Sequence, residues 1–207
     1  MRFILLLPLL LAGACSAPDQ PAATAPLAGP DTATAPLQPL DTTRPATVPA
    51  QADTLLTSRS RHIFSAASTP DVFTLMLRGS SVLSAEATFT ITTTGGEVIF
   101  REILSSADLE AALVYEMKGP TATQAEREAY VRKRVREFFA EKNFKRPAVP
   151  TSAVFPGPGA APAGLDRAAW DDLRSRPTAV AFHYLLGKED RRAVAWSPLR
   201  KQVVHIP

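Results

Sequence analysis

The sequence predicts an α+β domain, in which two or three helices cover one face of a largely antiparallel sheet, behind a disordered tether rich in Pro, Ala and Thr. Three observations lead to this prediction. Apolar and polar residues alternate near both ends of 58–207. Helix caps and apolar residues at helical spacing lie between those ends. Residues 16–57 contain 10 Ala, 8 Pro and 8 Thr but no aromatic residue.

The first element is an export signal. Arg2 supplies a positive charge, residues 3–11 are an apolar run, and three small residues follow at 12–14. As a helix, the apolar run would rise only about 14 Å, roughly half of the hydrocarbon core of a bilayer. We therefore expect residues 1–14 to be a cleaved signal peptide and not a membrane span.

The only cysteine of the chain, Cys15, follows the small residues directly. The stretch LAGAC over 11–15 resembles the lipobox of bacterial lipoproteins, although Ala12 stands where the lipobox usually has Leu. The resemblance implies that the sulfur and the new amine of Cys15 are acylated, and two or more acyl chains hold a protein firmly on a membrane. The alternative is ordinary cleavage after the A-x-A motif at 12–14, which would release the protein. A single cysteine also excludes an intrachain disulfide.

The second element is the tether, predicted over 15–57. Its composition cannot bury enough apolar area to offset the entropy lost on ordering. Proline favours extended polyproline II backbone, which would give the segment a reach of about 130 Å. We interpret it as a spacer between a membrane and the domain.

The predicted domain occupies 58–207 and has 21 basic and 16 acidic residues. Its first half predicts strands over 71–78, 82–92 and 98–103. Gly95 and Gly96 can form the two-residue turn of a hairpin between the last two of these strands. A short helix follows to about Tyr115.

The second half opens with a capping box at Thr123 and Glu126, which predicts a helix to about Lys142. Residues 147–164 contain five Pro and three Gly and are predicted to be a long loop. The remaining predictions are a helix that begins at Asp166 and strands over 178–186, 192–197 and 202–206.

Motifs of known chemistry are few. The sequence lacks the GxSxG, HExxH, GxxxxGK[ST] and GxGxxG patterns, so no catalytic residue, cofactor or metal ligand is assigned. His183 and His205 could approach each other and form a metal pair if their strands pair; the alternative is that each is a half-exposed strand residue. Two adjacent carboxylate pairs, Asp171-Asp172 and Glu189-Asp190, are of the type that glycoside hydrolysis uses.

The helix after Thr123 is the most basic part of the domain, with eight Lys or Arg and four Glu over 123–146. Such a surface can approach lipid phosphates, an anionic polysaccharide or an acidic partner. The alternative is an ordinary surface helix with pairs at i,i+4. Aromatic residues do not alternate with the basic ones as base stacking requires, so nucleic acid is not the expected partner. The candidate contacts are Arg132, Lys133, Arg134 and Arg136.

Several segments resemble a group of small uncharacterised lipoproteins of Bacteroidota-type Gram-negative bacteria. They are VRKRVREFFAEKNF over 131–144, WD at 170–171, RPTA at 176–179, FHY at 182–184 and VAWS at 194–197. The similarity covers most of 70–206 and rests on apolar and aromatic patterns. It implies an envelope lipoprotein and no particular site residues.

These patterns together predict a protein anchored through Cys15 in the cell envelope, with the outer membrane favoured over the inner. The leading hypothesis is a non-catalytic binding module that contacts anionic envelope components or another envelope protein. The alternative is a hydrolase of envelope polymers that uses carboxylates and His183. A cleft that brings His183 to Glu189 or Asp190 would favour the hydrolase.

Overall fold

The computed structural model of the chain describes residues 40–41 (backbone only), 46–157, 159–162 and 164–207. This part of the chain confirms the predicted α+β class and its largely antiparallel strand pairing. The strands are β1 (Leu40–Asp41), β2 (Thr54–Ile63), β3 (Pro70–Arg78), β4 (Glu86–Thr92), β5 (Val98–Ser105), β6 (Phe144–Lys145), β7 (Ala181–Leu186), β8 (Asp190–Ser197) and β9 (Gln202–Ile206). The helices are α1 (Ser106–Glu110), α2 (Gln124–Glu137) and α3 (Arg167–Arg174), and 3-10 turns cover Ala111–Tyr115 and Glu141–Asn143.

The strands divide between two sheets, where the sequence analysis expects one. The first sheet has the order β1-β5-β4-β3-β2, and β1 is its only parallel strand among the described residues. The second sheet has the order β6-β7-β8-β9. The predicted hairpin forms between β4 and β5, where the Gly96 N–H donates to the Thr93 carbonyl at 2.9 Å.

Strand β2 is absent from the sequence analysis. It begins at Thr54, so the expected boundary at residue 58 falls inside it. Thr47 also contacts the first sheet, since its backbone N–H and its hydroxyl both donate to Glu86 Oε2 at 2.9 Å. The folded part of the chain therefore includes residues that composition places in the tether.

The strand predicted over 82–92 is shorter in the structure because a tight turn precedes it. Gly79 has φ +147°, and a Cβ added there would lie 2.9 Å from the Ala85 Cα. Only glycine permits this close approach without strain. The hydroxyls of Ser81 and Ser84 bond each other at 2.8 Å inside the turn, and β4 begins at Glu86.

Helix α2 ends at Glu137, five residues before the predicted end at Lys142. Phe138 and Phe139 are adjacent and both buried, so the chain leaves the helix as both rings enter the core. Ala140 is extended, and Asn143 Nδ2 donates to the Phe138 carbonyl at 2.8 Å. This bond supplies a donor to a carbonyl that has no partner within the helix because it lies at the helix end.

Aromatic rings fill the space between the two sheets. Phe89 of β4 lies at its centre, and five rings have their centroids 5.2–5.6 Å from that of Phe89. These rings are Phe100 of the first sheet, Phe182 and Tyr184 of the second sheet, and Phe138 and Phe139 after α2. Each edge-to-face aromatic pair contributes about 0.5–1.5 kcal/mol of stability beyond the contribution of the apolar area that it buries.

A smaller core lies on the opposite face of the second sheet. Trp170 and Leu173 of α3 pack there against Ala193 and Ala195 of β8. The predicted start of this helix at Asp166 is confirmed, and Asp166 is its N-cap, since Asp166 Oδ1 accepts from the Ala169 N–H at 2.8 Å. The described residues of 147–164 contain no helix or strand, as predicted, but they contribute buried apolar side chains to this core.

Candidate functional site

The first turn of α2 positions the basic residues that the sequence analysis singles out. Thr123 Oγ1 accepts from the Glu126 N–H at 3.3 Å, and Glu126 Oε2 accepts from the Thr123 N–H and hydroxyl at 2.8 Å each. The predicted capping box is therefore confirmed. The same bonds from Thr123 lower the pKa of Glu126, whose carboxylate is committed to the cap.

The four candidate contacts do not share one face of α2. Successive helical residues are rotated by about 100°, so Arg132 and Arg134 point about 160° apart. Lys133 and Arg136 lie between them, on the side away from buried Val131 and Val135. The structure brings Lys133 and Arg136 into one groove and places Arg134 in another. Arg132 is exposed on the remaining flank.

The outward groove, which we call the α2 groove, separates α2 from the segment that follows α1. Its volume is about 440 Å³. Apolar side chains and polar side chains both line it. Its apolar lining includes Leu113, Met117, Ala122, Ala129 and Tyr130, and its charged lining consists of Glu116, Lys118, Glu126, Lys133 and Arg136.

Cations outnumber available carboxylates in the α2 groove. Lys133 Nζ lies 2.8 Å from Glu116 Oε2, and this pair is loosely held because its side chains are 40% and 49% exposed. The hydrogen bond that Lys133 donates to Glu116 is the main cause that raises the pKa of Lys133. Glu126 serves the helix cap, and the charge of Lys118 also acts on it. Lys118 and Arg136 have no ion pair among the described residues.

Two exposed apolar side chains lie on the same segment as the groove. Val114 and Tyr115 are 49% and 61% exposed, although apolar residues of this size are usually buried. The Tyr115 hydroxyl donates to Glu189 Oε1 at 2.8 Å, and Lys188 Nζ lies 5.4 Å from the centre of the Tyr115 ring. An apolar surface with cations beside it is suited to an amphiphilic ligand.

Arg134 lies on the flank of α2 that faces β7. Its Nη2 donates to the Leu185 carbonyl at 3.0 Å, at the edge of the second sheet. It lines a second cavity of about 240 Å³, which we call the β7 groove. The β7 groove is lined by Arg134, Glu137, Phe138, Asn143, His183, Tyr184, Leu185 and Arg191.

The groups that the hydrolase hypothesis joins lie apart. His183 lines the β7 groove, whereas Glu189 accepts from Tyr115 and Asp190 lies 2.8 Å from Arg192 Nη2. Burial, followed by the charge of Lys145, lowers the pKa of His183, and no carboxylate acts on it. The condition that would favour a hydrolase is not met by the described residues.

The second carboxylate pair is held by surface arginines. Asp171 bonds Arg167 Nε at 2.7 Å and lies 3.1 Å from Arg174 Nη2. Asp172 accepts a bidentate pair of bonds from Arg176 at 2.9 and 3.0 Å. Both aspartates therefore take part in surface ion pairs on and just after α3.

The register of the second sheet separates the two histidines considered as a metal pair. His183 pairs with Ala193, and His205 pairs with Val194. Because consecutive residues of β8 point to opposite faces of the sheet, the two imidazoles lie on opposite faces. The described residues contain no group of three or more His, Cys, Asp or Glu able to hold a metal ion.

A buried charged cluster between the sheets was not predicted from the sequence. Glu102 of β5 is fully buried, and its Oε2 accepts from the Tyr184 hydroxyl at 2.5 Å. Its Oε1 accepts from Arg192 Nη1. Glu102 follows Phe100 by two residues, so the strand period places it on the same inward face. This two-residue spacing from Phe100 is the sequence signal that could have predicted the burial of Glu102.

Burial dominates the acid–base chemistry of this cluster. It raises the pKa of Glu102, while the hydrogen bond from Tyr184 and the charge of Arg192 act in the opposite direction. It also raises the pKa of Tyr184 well above its ordinary value, and the Glu102 charge adds to that effect. Because Glu102 of the first sheet accepts hydrogen bonds from both Tyr184 and Arg192 of the second, the three residues form a structural cluster that joins the two sheets.

The predicted signal peptide and Cys15 lie outside the described residues. None of the helices that the structure describes is long and apolar enough to cross a bilayer. Comparison of the chain with protein-family models, with curated proteins and with solved structures gave no match. The resemblance to small envelope lipoproteins therefore stays a prediction from the sequence.

Proposed function

We propose that the protein is a lipid-anchored lipoprotein of the cell envelope, with the outer membrane as its favoured location. Its domain is a non-catalytic module that holds an anionic component of the envelope in the α2 groove. The observation that carries the second part is the presence of Lys118 and Arg136, without ion pairs among the described residues, beside a partly apolar groove.

The support for anchoring comes from the sequence. A short apolar run precedes small residues and the single cysteine, Cys15, in the layout of a lipoprotein signal. Each buried methylene of an acyl chain contributes about 0.8 kcal/mol, so two or more chains keep a protein on its membrane. The Pro-rich segment after Cys15 gives the domain room to reach a surface.

The support for anion binding comes from the charges around α2. Arg132 and Arg136 are exposed, and Lys118 shares the α2 groove with Arg136. These cations attract phosphate or carboxylate groups, and the apolar lining can hold the attached hydrocarbon or sugar ring. Exposed Val114 and Tyr115 extend the apolar area beside the groove. Anionic phospholipid of the membrane that carries the anchor fits these features best.

Anchoring predicts a specific effect of one substitution. In Cys15→Ser the nucleophilic sulfur is lost, so we expect the full chain to leave the membrane fraction of cells and the detergent phase of a partition assay. Ser16→Ala is the matched control because it keeps the thiol. If Cys15→Ser still partitions with detergent as wild type does after signal cleavage, the anchor is not on this sulfur.

Anion binding is tested with the full acylated chain reconstituted in vesicles. We expect amide hydrogen exchange over 113–123 to be slower in vesicles that contain phosphatidylglycerol than in phosphatidylcholine alone. Lys118→Glu combined with Arg136→Glu should abolish this difference. Arg59→Glu with Arg61→Glu makes the same charge change on exposed β2 positions and should retain it.

The outcomes separate the possible ligands. Equal exchange in both vesicle types contradicts binding to anionic lipid. Protection that appears in phosphatidylcholine vesicles only after addition of polygalacturonate would instead identify an acidic polysaccharide as the ligand. Protection that survives the Lys118→Glu, Arg136→Glu change contradicts the α2 groove as the site.

A further inference from the structure

The β7 groove lies on the flank of α2 opposite Arg132, and three separate elements line it. Arg134 and Glu137 come from α2, His183 and Leu185 from β7, and Arg191 from β8. Leu185 and Arg191 are cross-strand partners, so both strands contribute to the same wall. Its volume of about 240 Å³ equals that of about eight water molecules. This space admits one small polar group.

The charges in and beside the β7 groove are mostly positive. Arg191 is exposed and has no ion pair among the described residues. Lys145 of the neighbouring strand β6 lies close enough for its charge to lower the pKa of His183. Glu137 is the one carboxylate of the lining, and its charge also acts on Lys133 on the outward side of α2. The groove therefore has an excess of positive charge.

Arg134 leaves one donor of its guanidinium unused. Its Nη2 bonds the Leu185 carbonyl, but its Nε–H is shielded from solvent and has no acceptor among the described residues. A buried donor without an acceptor is energetically unfavourable. A guanidinium of this kind is well suited to the oxygens of phosphate or carboxylate, which accept charge-assisted hydrogen bonds.

We propose that the β7 groove is a binding site for one oxyanion, a phosphate or carboxylate group carried by a larger molecule. The guanidinium groups of Arg134 and Arg191 donate to its oxygens, and His183 borders it. This site is separate from the α2 groove, because Arg134 and Arg136 point to different sides of the helix. It stands whether or not the α2 groove binds anionic lipid.

The three histidines of the chain provide a local measurement. His183 borders the β7 groove, while His62 stacks on Phe144 and His205 lies against Phe100. An anion bound beside an imidazole favours its protonated form. The experiment follows the histidine ring protons of the full chain in detergent by NMR, during pH titrations with inorganic phosphate, acetate, or sodium chloride at matched ionic strength.

We expect phosphate or acetate to raise the pKa of His183 and to leave those of His62 and His205 as they are in chloride. A stronger response to phosphate assigns the ligand class to phosphate groups, and a stronger response to acetate assigns it to carboxylates. An equal response of all three histidines, or none at His183, contradicts the site.

Variants test which side chains hold the anion. In Arg191→Gln, about tenfold more anion should be needed to produce the same rise in the pKa of His183. This factor corresponds to the loss of roughly one charge-assisted hydrogen bond. Arg191 is exposed, so this change leaves the fold intact, whereas Arg134→Gln also removes the bond to Leu185. Arg59→Gln on β2 is the control and should respond as wild type. A response unchanged by Arg191→Gln overturns the proposal.

Discussion

Between the sheets, the Glu102 carboxylate meets the Tyr184 hydroxyl and the Arg192 guanidinium, whereas on the surface of α2 the cations outnumber their partners. In the buried region a carboxylate, a hydroxyl and a guanidinium come together from three strands. Around the α2 groove, Lys118 and Arg136 remain without ion pairs among the described residues. The domain thus pairs the charges that it buries and leaves some of its surface cations unpaired.

The difference follows from the cost of removing a charge from water. A buried ion without a partner costs several kcal/mol, so the space between the sheets holds charges only where they bond one another. An exposed cation keeps its hydration, and a surface pair contributes only about 0–1 kcal/mol. Unpaired cations on α2 therefore cost the fold little and remain available to a ligand.

We expect the largest change in the free energy of unfolding from Glu102→Ala. Removal of the Glu102 carboxylate leaves the Tyr184 hydroxyl without its acceptor and Arg192 with only Asp190 as an ion-pair partner. We expect the free energy of unfolding to fall by about 3 kcal/mol, as for other broken buried pairs. Urea unfolding of the full chain in detergent measures it.

Glu97→Ala is the matched control, because Glu97 is exposed in the turn between β4 and β5. It should change the free energy of unfolding by no more than about 0.5 kcal/mol. A loss for Glu102→Ala as small as that of the control would contradict the idea that the buried cluster joins the sheets.

A smaller effect is expected from pH. Burial, followed by the charge of Arg192, lowers the pKa of His205, while Asp190 acts in the opposite direction. The unfolded chain then takes up a proton at higher pH than the folded chain, so stability is lost as pH falls below the ordinary value of 6.5. Glu102, with a raised pKa, acts in the opposite sense.

We therefore expect His205→Phe to lose less stability than wild type between about pH 7 and pH 5. The slope of its free energy of unfolding against pH should be smaller than that of wild type by at most about 1.4 kcal/mol per pH unit. Unfolding midpoints in urea across that range provide the measurement. A slope equal to that of wild type would show that His205 titrates alike in both states and that its burial has no consequence.

Local signals in the sequence predicted most of the elements. The capping box at Thr123 and Glu126 and the cap at Asp166 involve residues three positions apart, so the sequence displays them directly. The strand predicted over 202–206 matches β9. Strand β2 was missed because Ser and Arg alternate over 58–61, with large apolar side chains only near its two ends, as an edge strand permits.

Non-local contacts account for the rest. The division into two sheets depends on which strands pair, and no local pattern specifies that. The end of α2 depends on Phe138 and Phe139 entering a core formed by distant strands. Of the four basic candidates, Arg134 reaches the Leu185 carbonyl, a contact across 51 positions that helical spacing does not show.

The central claim is that unpaired cations of the α2 groove hold an anionic lipid surface, and its salt dependence is the most direct test. In the reconstituted wild-type chain, the exchange protection of 113–123 that phosphatidylglycerol confers should largely disappear as salt rises from about 0.1 M to about 1 M, because the screening length shortens from about 10 Å to about 3 Å. Protection that persists unchanged at high salt would contradict the claim.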